Sequence, residues 1–515
     1  MNKSPLVLVV IDGFGYNPNQ TGNAIALAKK PNLDFLSQNY PHTLLQASGQ
    51  TVGLDWGEAG NSEVGHLTLG AGRVVQHYLS IINESIGNGE FYQNKHLLTA
   101  AISVKQNHSK LHLAGLLTSG SVHASLKHLF ALLEFVKKTN IEKVYLHLFL
   151  DGKDSGLKES IDLLKKLEKE IGSSSTSKQI EIATIIGRDY AMDRNNNWDK
   201  TKTAFELMVD GYGEKTENFL ETISAYHQKG VTDDKMPGLI ASHLDSPLIT
   251  DGDSLIFFNF REDSMRQLVR SFADSNFEVF TKNSPDNLYI TTFTEYLNNT
   301  NIHPIFDSLE IKNNLAEWLS KHQKIQLHIA ESEKYAHATF FFNGLQDKIY
   351  EGETDLLLES PDNLADNPQM RAIDIAKKVT EEIENDHYDF ILINFANADI
   401  LSHTGNIQVV AKGIESIDEA IGLIYQEVRK KEGVMIITSD HGNAESLVYG
   451  LSGERETKHN LNSVSVYLIS NQFRNKKMPD NISGILADVA PTILELMDLP
   501  IPPEMTGESL LKNIK

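Results

Sequence analysis

Short apolar runs recur along this chain, and the stretches between them carry helical spacing. The runs are LVLVVI (6–11), KLHLAGLL (110–117), KVYLHLFL (143–150), IEIATII (180–186), SLIFFNF (254–260), FILINFA (390–396) and VMIITS (434–439). Each has strand length and is rich in branched or aromatic residues, so each predicts a buried strand. Between them, Leu126, Leu129, Phe130 and Leu133 fall at i, i+3, i+4 and i+7, and Val410, Ile414, Ile417, Ile421 and Ile424 form a second apolar stripe. Both stripes predict helix sides that face a core. Strands alternating with helices make βα units, so the expected class is α/β with a largely parallel sheet. The tract GSSSTS (172–177) reads as a polar loop. Turn-rich or charged segments break the rhythm near residues 77–82 and 308–312, which makes the middle of the chain an insertion.

Length and composition narrow the function. The 515 residues allow roughly two to four domains and a sizeable core. A formal charge of −22 argues against a nucleic-acid groove, which needs a basic footprint, but leaves room for a small anion where cations cluster. The chain has no cysteine, so thiolate metal sites, disulfides and cysteine nucleophiles are excluded, and any metal must be held by His, Asp, Glu or hydroxyl groups. The first apolar run is too short for a signal segment and ends on Asp12, and no run of about 18 apolar residues exists to span a membrane. The expectation is a cytoplasmic enzyme.

Three strands are predicted to end in carboxylates. Asp12 follows LVLVVI, Asp440 follows VMIITS, and Asp399 lies within three residues of the end of FILINFA. In a parallel α/β sheet the carboxyl ends of the strands border one crevice, the usual ligand position. Carboxylates gathered there repel one another unless protons or cations intervene. Histidines accompany them: His403 four residues after Asp399, His441 beside Asp440, and His459 a little further on. One such aspartate is ordinarily a turn former or helix cap, but three together, two with imidazoles beside them, predict a metal centre of the manganese or zinc kind. Ser62, in GNSEVGHLTLGAGR (60–73), has two readings. It is either the N-cap of a helix or a nucleophile, for which a metal must lend alkoxide character.

With these residues assembled, the chain resembles the cofactor-independent (2,3-bisphosphoglycerate-independent) phosphoglycerate mutases of the alkaline phosphatase superfamily. The resemblance runs over essentially the whole length and rests on VIDGFG, GNSEVGHLTLGAGRVVQ, LDGKDS, GRDYAMDRNNNWD, FFNFRED, EKYAHATFFFNG, HTGN and SDHGNAES. It implies an alkaline-phosphatase-like, mostly parallel sheet with helices on both faces in a discontinuous metal-binding domain, residues 1–78 and 311–515. A second α/β transferase domain, residues 79–310, would be inserted in it. It implies two manganese ions, one held by Asp12, Ser62, Asp440 and His441, the other by Asp399, His403 and His459. Ser62 would be the catalytic nucleophile, passing through a phosphoserine in glycolysis and gluconeogenesis. The inserted domain would hold the glycerate through His123, Lys153, Asp154, Arg188, Arg194, Arg261 and Lys334. The family's usual state implies a monomer acting on a small molecule, with no nucleic-acid or membrane partner. Three positions depart from the family: Lys153 and Ser264 stand where arginine is usual, and Ser119 where aspartate is common. A related metal-dependent phosphatase or a phosphopentomutase-like enzyme is the alternative built on the same scaffold.

Overall fold

The computed structural model of the chain describes residues 4–172, 180–283, 285–298, 301–309, 311–364, 366–448 and 454–515. The polar tract expected over 172–177 lies, beyond Gly172, outside the described residues. The chain forms two compact units, Met1–Ser80 with Leu309–Lys515, and Ile81–Ser308. Each is built on its own eight-stranded sheet.

In the first unit the strands lie in the order Glu353–Leu358, Gln326–Glu331, Phe390–Phe395, Leu6–Ile11, Val434–Thr438, Val464–Ile469, His42–Gln46 and Ile482–Ile485. Among the described residues only Val464–Ile469 runs against its neighbours. Leu6–Ile11 is central. Its Val7, Val9 and Ile11 enter one core and its Leu6, Leu8 and Val10 another, on the opposite face. With both faces covered, the run has no reason to alternate apolar with polar, which is why it reads as continuous. Truncating Leu6, Leu8 or Ile11 to alanine costs roughly 2–5 kcal/mol.

Helix Ile407–Lys430 covers the first of those cores. Asn406 caps it, accepting from the amides of Gln408 and Val409. The predicted stripe of Val410, Ile414, Ile417, Ile421 and Ile424 is wholly buried, and Arg429 and Lys430 close the last turn against the negative end of the helix dipole. The other predicted stripe is displaced. In helix Leu126–Thr139 the buried side is centred on Leu129, Leu132, Leu133 and Val136, while Leu126 and Phe130 are only partly covered.

The second unit orders its strands Ile302–Pro304, Tyr289–Thr292, Ser254–Phe257, Leu111–Leu117, Val144–Leu150, Ile180–Gly187, Leu239–Ala241 and Glu214–Thr216. The pairing is parallel except between Ile180–Gly187 and Leu239–Ala241. The segments after four of these strands carry His123, then Lys153 and Asp154, then Arg188, then Arg261. No described helix is long and apolar enough to cross a membrane.

Candidate metal centre and anion pocket

Adjacent parallel strands deliver the three aspartates to one place. Leu6–Ile11 lies between Phe390–Phe395 and Val434–Thr438, with Ile11 opposite Phe395 and Val10 opposite Thr438. Asp12 follows the first strand directly, Asp440 the third after one residue, and Asp399 sits in the first turn of the short helix Asn397–Ser402. Asp12 and Asp440 are fully buried and Asp399 nearly so. Two glycines make room for this approach. Gly13 turns the chain with φ +72°, and a Cβ on Gly65 would stand 2.6 Å from the carbonyl oxygen of Asp440.

Ser62 is the first residue of helix Ser62–Ala71, and the cap is its neighbour: Asn61 accepts from the amide of Val64. The N-cap reading of Ser62 is therefore replaced. Its hydroxyl donates to Asp12 Oδ1 at 2.9 Å and lies 3.0 Å from His441 Nε2. A ten-residue helix also turns its first-turn amides and positive dipole end toward this position, which favours an anion there.

Lys334 corrects the sequence reading. It belongs to the first unit, not the inserted one, and its side chain is buried among the carboxylates. Its ammonium donates to Asp12 Oδ1 at 2.7 Å, Ser62 Oγ at 2.6 Å and Asp399 Oδ2 at 2.7 Å, which uses its three protons. Burial pushes against charge on Asp12, Asp399, Lys334 and His441, and mutual attraction overrides it in each. Against burial, Lys334 and the His441 hydrogen bond hold Asp12 well below the usual carboxylate range. Lys334 does the same for Asp399. His441 is raised to about 9 despite burial, by Asp440, Asp12 and Asp399.

The outer partners of the histidines orient them as ligands. His403 Nδ1 sits 3.0 Å from the carbonyl of Thr457 and His459 Nδ1 3.1 Å from that of Gly60. A carbonyl accepts only, so each Nδ1 carries the proton and each Nε2 turns its other side to Asp399, at 3.5 and 3.2 Å. Two buried atoms in the cluster, Asp440 Oδ2 and His459 Nε2, have no hydrogen-bond partner among the described residues. Orphaned ligand-type atoms and carbonyl-anchored imidazoles are what a divalent cation would complete, so the donor set fits a metal.

The structure brings Asp12, Ser62, Asp399, Asp440, His441 and His459 together, with the half-exposed His403 at the margin. His441 is placed to face both halves. Its Nε2 is 3.4 Å from Asp12 Oδ1, and its ring stacks on that of His459 at 4.0 Å. Sequence reasoning missed His66, which is buried with Nδ1 3.1 Å from Asp440 Oδ2 and 2.9 Å from the Ser62 carbonyl. Its position one helical turn after Ser62 was the available signal. Asn394 and Asn443 were missed too: their amides donate to Asp12 at 2.9 Å and Asp399 at 2.7 Å.

In the second unit, His123, Lys153, Asp154, Arg188, Arg194 and Arg261 all line one cavity of about 540 Å³, which Lys200 and Ser264 also border. The cations there are matched by acids. Arg188 donates to Asp151 and Asp154, both at 2.6 Å, Arg194 to Asp263 at 2.6 Å, and Lys153 to Asp189. His123, lowered to about 4 by burial and then by Arg188, is neutral between Asp154 and Asp263. Arg188 opens a single helical turn, Arg188–Ala191. Arg266 points away from the cavity to Glu262, so no arginine replaces the one absent at Ser264. Lys200 was not anticipated, although it directly follows the GRDYAMDRNNNWD string.

The metalloenzyme superfamily matches residues 4–501 of the chain. The 2,3-bisphosphoglycerate-independent phosphoglycerate mutase of Clostridium botulinum is 42% identical over 520 residues, covering 99% of this chain and 100% of its own. Phosphoglycerate mutase 2 of Methanosarcina barkeri, of the same kind, is 42% identical over 528 residues and covers 99% of each. The crystal structure of Leishmania mexicana phosphoglycerate mutase at low cobalt concentration superposes with a TM-score of 0.75 at 25% identity, covering 100% of this chain and 98% of that one.

Proposed function

The chain belongs to the metalloenzyme superfamily and, within it, to the 2,3-bisphosphoglycerate-independent phosphoglycerate mutases, and from that membership we propose how its own residues carry the reaction. It is an isomerase that interconverts 3-phosphoglycerate and 2-phosphoglycerate with the help of divalent metal ions.

Ser62 is the nucleophile. The observation that carries this reading is the position of its hydroxyl, 2.9 Å from Asp12, 3.0 Å from His441 and 2.6 Å from the Lys334 ammonium. Asp12, Ser62, Asp440 and His441 would hold one manganese ion and Asp399, His403 and His459 the other; such ions lower the pKa of a bound hydroxyl and offset the charge of a transferring phosphoryl group. Asp12 orients the serine by accepting its proton in a hydrogen bond, and Lys334 and the amides at the start of helix Ser62–Ala71 face the phosphoryl oxygens. As the bond from phosphorus to Ser62 Oγ forms, the serine hydroxyl gives up its proton and the bond from phosphorus to the glycerate oxygen breaks, that oxygen taking up a proton to become a hydroxyl. The reverse step delivers the phosphoryl group to the other hydroxyl.

The glycerate must be retained between the two steps, and the second unit supplies the grip. His123, Lys153, Asp154, Arg188, Arg194 and Arg261 hold it, with the substrate's anionic groups taking over cation partners now provided by Asp189, Asp154 and Asp263. Excluding water during this interval is what separates a mutase from a phosphatase. The same reading makes the protein a cytoplasmic monomer working on a small molecule, with no nucleic-acid partner.

The test is a coupled assay from 3-phosphoglycerate with manganese and without bisphosphoglycerate, run beside Ser62→Ala. The parent is expected to form 2-phosphoglycerate, and the variant to fall by roughly 10⁴-fold or more, as for loss of a covalent nucleophile. Release of inorganic phosphate faster than 2-phosphoglycerate, or a variant with near-parental turnover, would overturn it.

A further inference from the structure

The first unit holds another group of ligand-type side chains, away from the strand ends just described. His328, Glu353 and Asp355 bring one donor atom each within 4.8 Å of the others. Strand Gln326–Glu331 pairs in parallel with the edge strand Glu353–Leu358, His328 opposite Asp355 and Gln326 opposite Glu353. Side chains two apart share a face, so all four stand on the same side of the pair. His328 Nδ1 is 3.2 Å from Glu353 Oε1 and 3.9 Å from Asp355 Oδ1, and the three side chains are 0, 0 and 7% exposed. The rings of Phe342 and Phe390 stand nearly perpendicular to the imidazole at 5.4 and 6.4 Å, so little water screens the group.

The hydrogen bonds assign the protons. Gln326 donates its amide nitrogen to the Ala316 carbonyl at 2.8 Å, which leaves its oxygen as acceptor for His328 Nε2 at 3.3 Å. With the proton on Nε2, His328 Nδ1 presents a lone pair to the two carboxylates. Neither that Nδ1 nor Asp355 Oδ1 has a hydrogen-bond partner among the described residues. Glu353 is oriented from outside by Asn343, which donates at 2.6 Å, and by the amide of Tyr350 at 2.8 Å. Among the described residues, His328 is the one basic side chain within ion-pair distance of either carboxylate. A lone pair and two acidic groups facing one another in apolar surroundings repel unless something positive lies between them.

We propose that His328, Glu353 and Asp355 form a divalent-metal site of the zinc class, separate from the catalytic centre, that fastens the edge strand to its neighbour. Donors bonded at about 2.1 Å to a tetrahedral ion stand about 3.4 Å apart. The observed 3.2 and 3.9 Å lie on either side of that value. One neutral imidazole with two carboxylates suits zinc or manganese and cancels a divalent charge. The anchoring of Nε2 by Gln326 and of Glu353 by Asn343 is the outer support such sites have.

The full-length chain, stripped by chelator, re-equilibrated with Zn²⁺ and desalted, is counted by mass spectrometry for zinc per protein. The parent is expected to carry one more ion than His328→Gln or Asp355→Asn, and both variants to lose part of the zinc-induced rise in Tm while keeping manganese-supported turnover within about twofold. A chain carrying Asp399→Asn and Asp440→Asn, which cripples the catalytic centre, is expected still to retain one zinc. The proposal is overturned if the single variants bind as much zinc as the parent, or if the double variant binds none, a proton shared by Glu353 and Asp355 then relieving the repulsion. Should His328→Gln fail to fold, Asp355→Asn and the double variant decide the matter. The count is independent of turnover, so failure of the mutase assay would leave it readable.

Discussion

The ammonium of Lys334 lies 2.6 Å from the hydroxyl of Ser62, a residue 272 positions away in the sequence. The same nitrogen reaches Asp12 and Asp399, so one buried cation holds together carboxylates that would otherwise repel. Replacing it with a neutral side chain of similar length isolates this role. Lys334→Met is expected to lower the stability of the metal-free protein by about 3–5 kcal/mol, because two buried charges lose their partner. Saturating Mn²⁺ should narrow the gap by binding the folded state and supplying the missing positive charge. Urea unfolding in chelator and in manganese measures both, and equal stability of variant and parent in chelator would refute the role.

Gly65 is packed against the backbone of Asp440, whereas Gly87, in helix Tyr78–Asn88, has open space where a Cβ would stand. Alanine favours a helix over glycine by up to about 1 kcal/mol. Gly87→Ala is therefore expected to be neutral or stabilising. Gly65→Ala should instead cost about 1–3 kcal/mol through overpacking, and turnover should fall roughly 10- to 100-fold as Asp440 is displaced. Urea midpoints and initial rates of the two variants test the contrast.

His123 titrates at about 4 in the folded chain, against 6.5 for an ordinary histidine. A depressed histidine leaves the unfolded state holding more protons between those values. Its neutral form supports folding above pH 6.5, and that support is lost as the pH falls from 6.5 toward 4. The stability of the parent minus that of His123→Gln should shrink across this window and stay level above it. Urea unfolding of both proteins from pH 4 to pH 8 gives the difference, and an upward trend on acidification would contradict the assignment.

Lys153 meets Asp189 with a single ammonium and leaves half of its side chain exposed at the anion pocket. Lys153→Arg offers a planar fork for a carboxylate or phosphate. The expected result is a KM lowered roughly 3- to 10-fold, about 1 kcal/mol of binding, with kcat nearly unchanged. Steady-state kinetics with 3-phosphoglycerate tests this, and a KM that rose or stayed level would show that the lysine already makes the available contact.

The elements most legible in the sequence were those whose burial is complete. Leu6–Ile11 and Phe390–Phe395 are covered on both faces, and their unbroken apolar runs announce it. Strands such as Glu214–Thr216 and Ile302–Pro304 are three residues long and partly exposed, too short to show a period. Gln326–Glu331 is six residues and buried throughout, yet it carries Gln326, His328 and Glu331, which face the Ala316 carbonyl, the acids of the edge strand and the Arg371 amide, so its polarity hid it. Asp12, Asp399 and Asp440 could be picked out because a carboxylate ending an apolar run is a local event.

Sequence alone determined the α/β class, the acid and imidazole inventory from which a metal centre could be made, and the family whose motifs the chain carries. Tertiary structure decided which of those groups meet. It moved Lys334 from the glycerate grip to the heart of the carboxylates, added His66, and gave the cap of the Ser62 helix to Asn61. It also set His328 facing two acids on a neighbouring strand. Burial leaves its trace in the residue types of a single segment, whereas the pairing of charges depends on distances between segments that only the folded chain brings together.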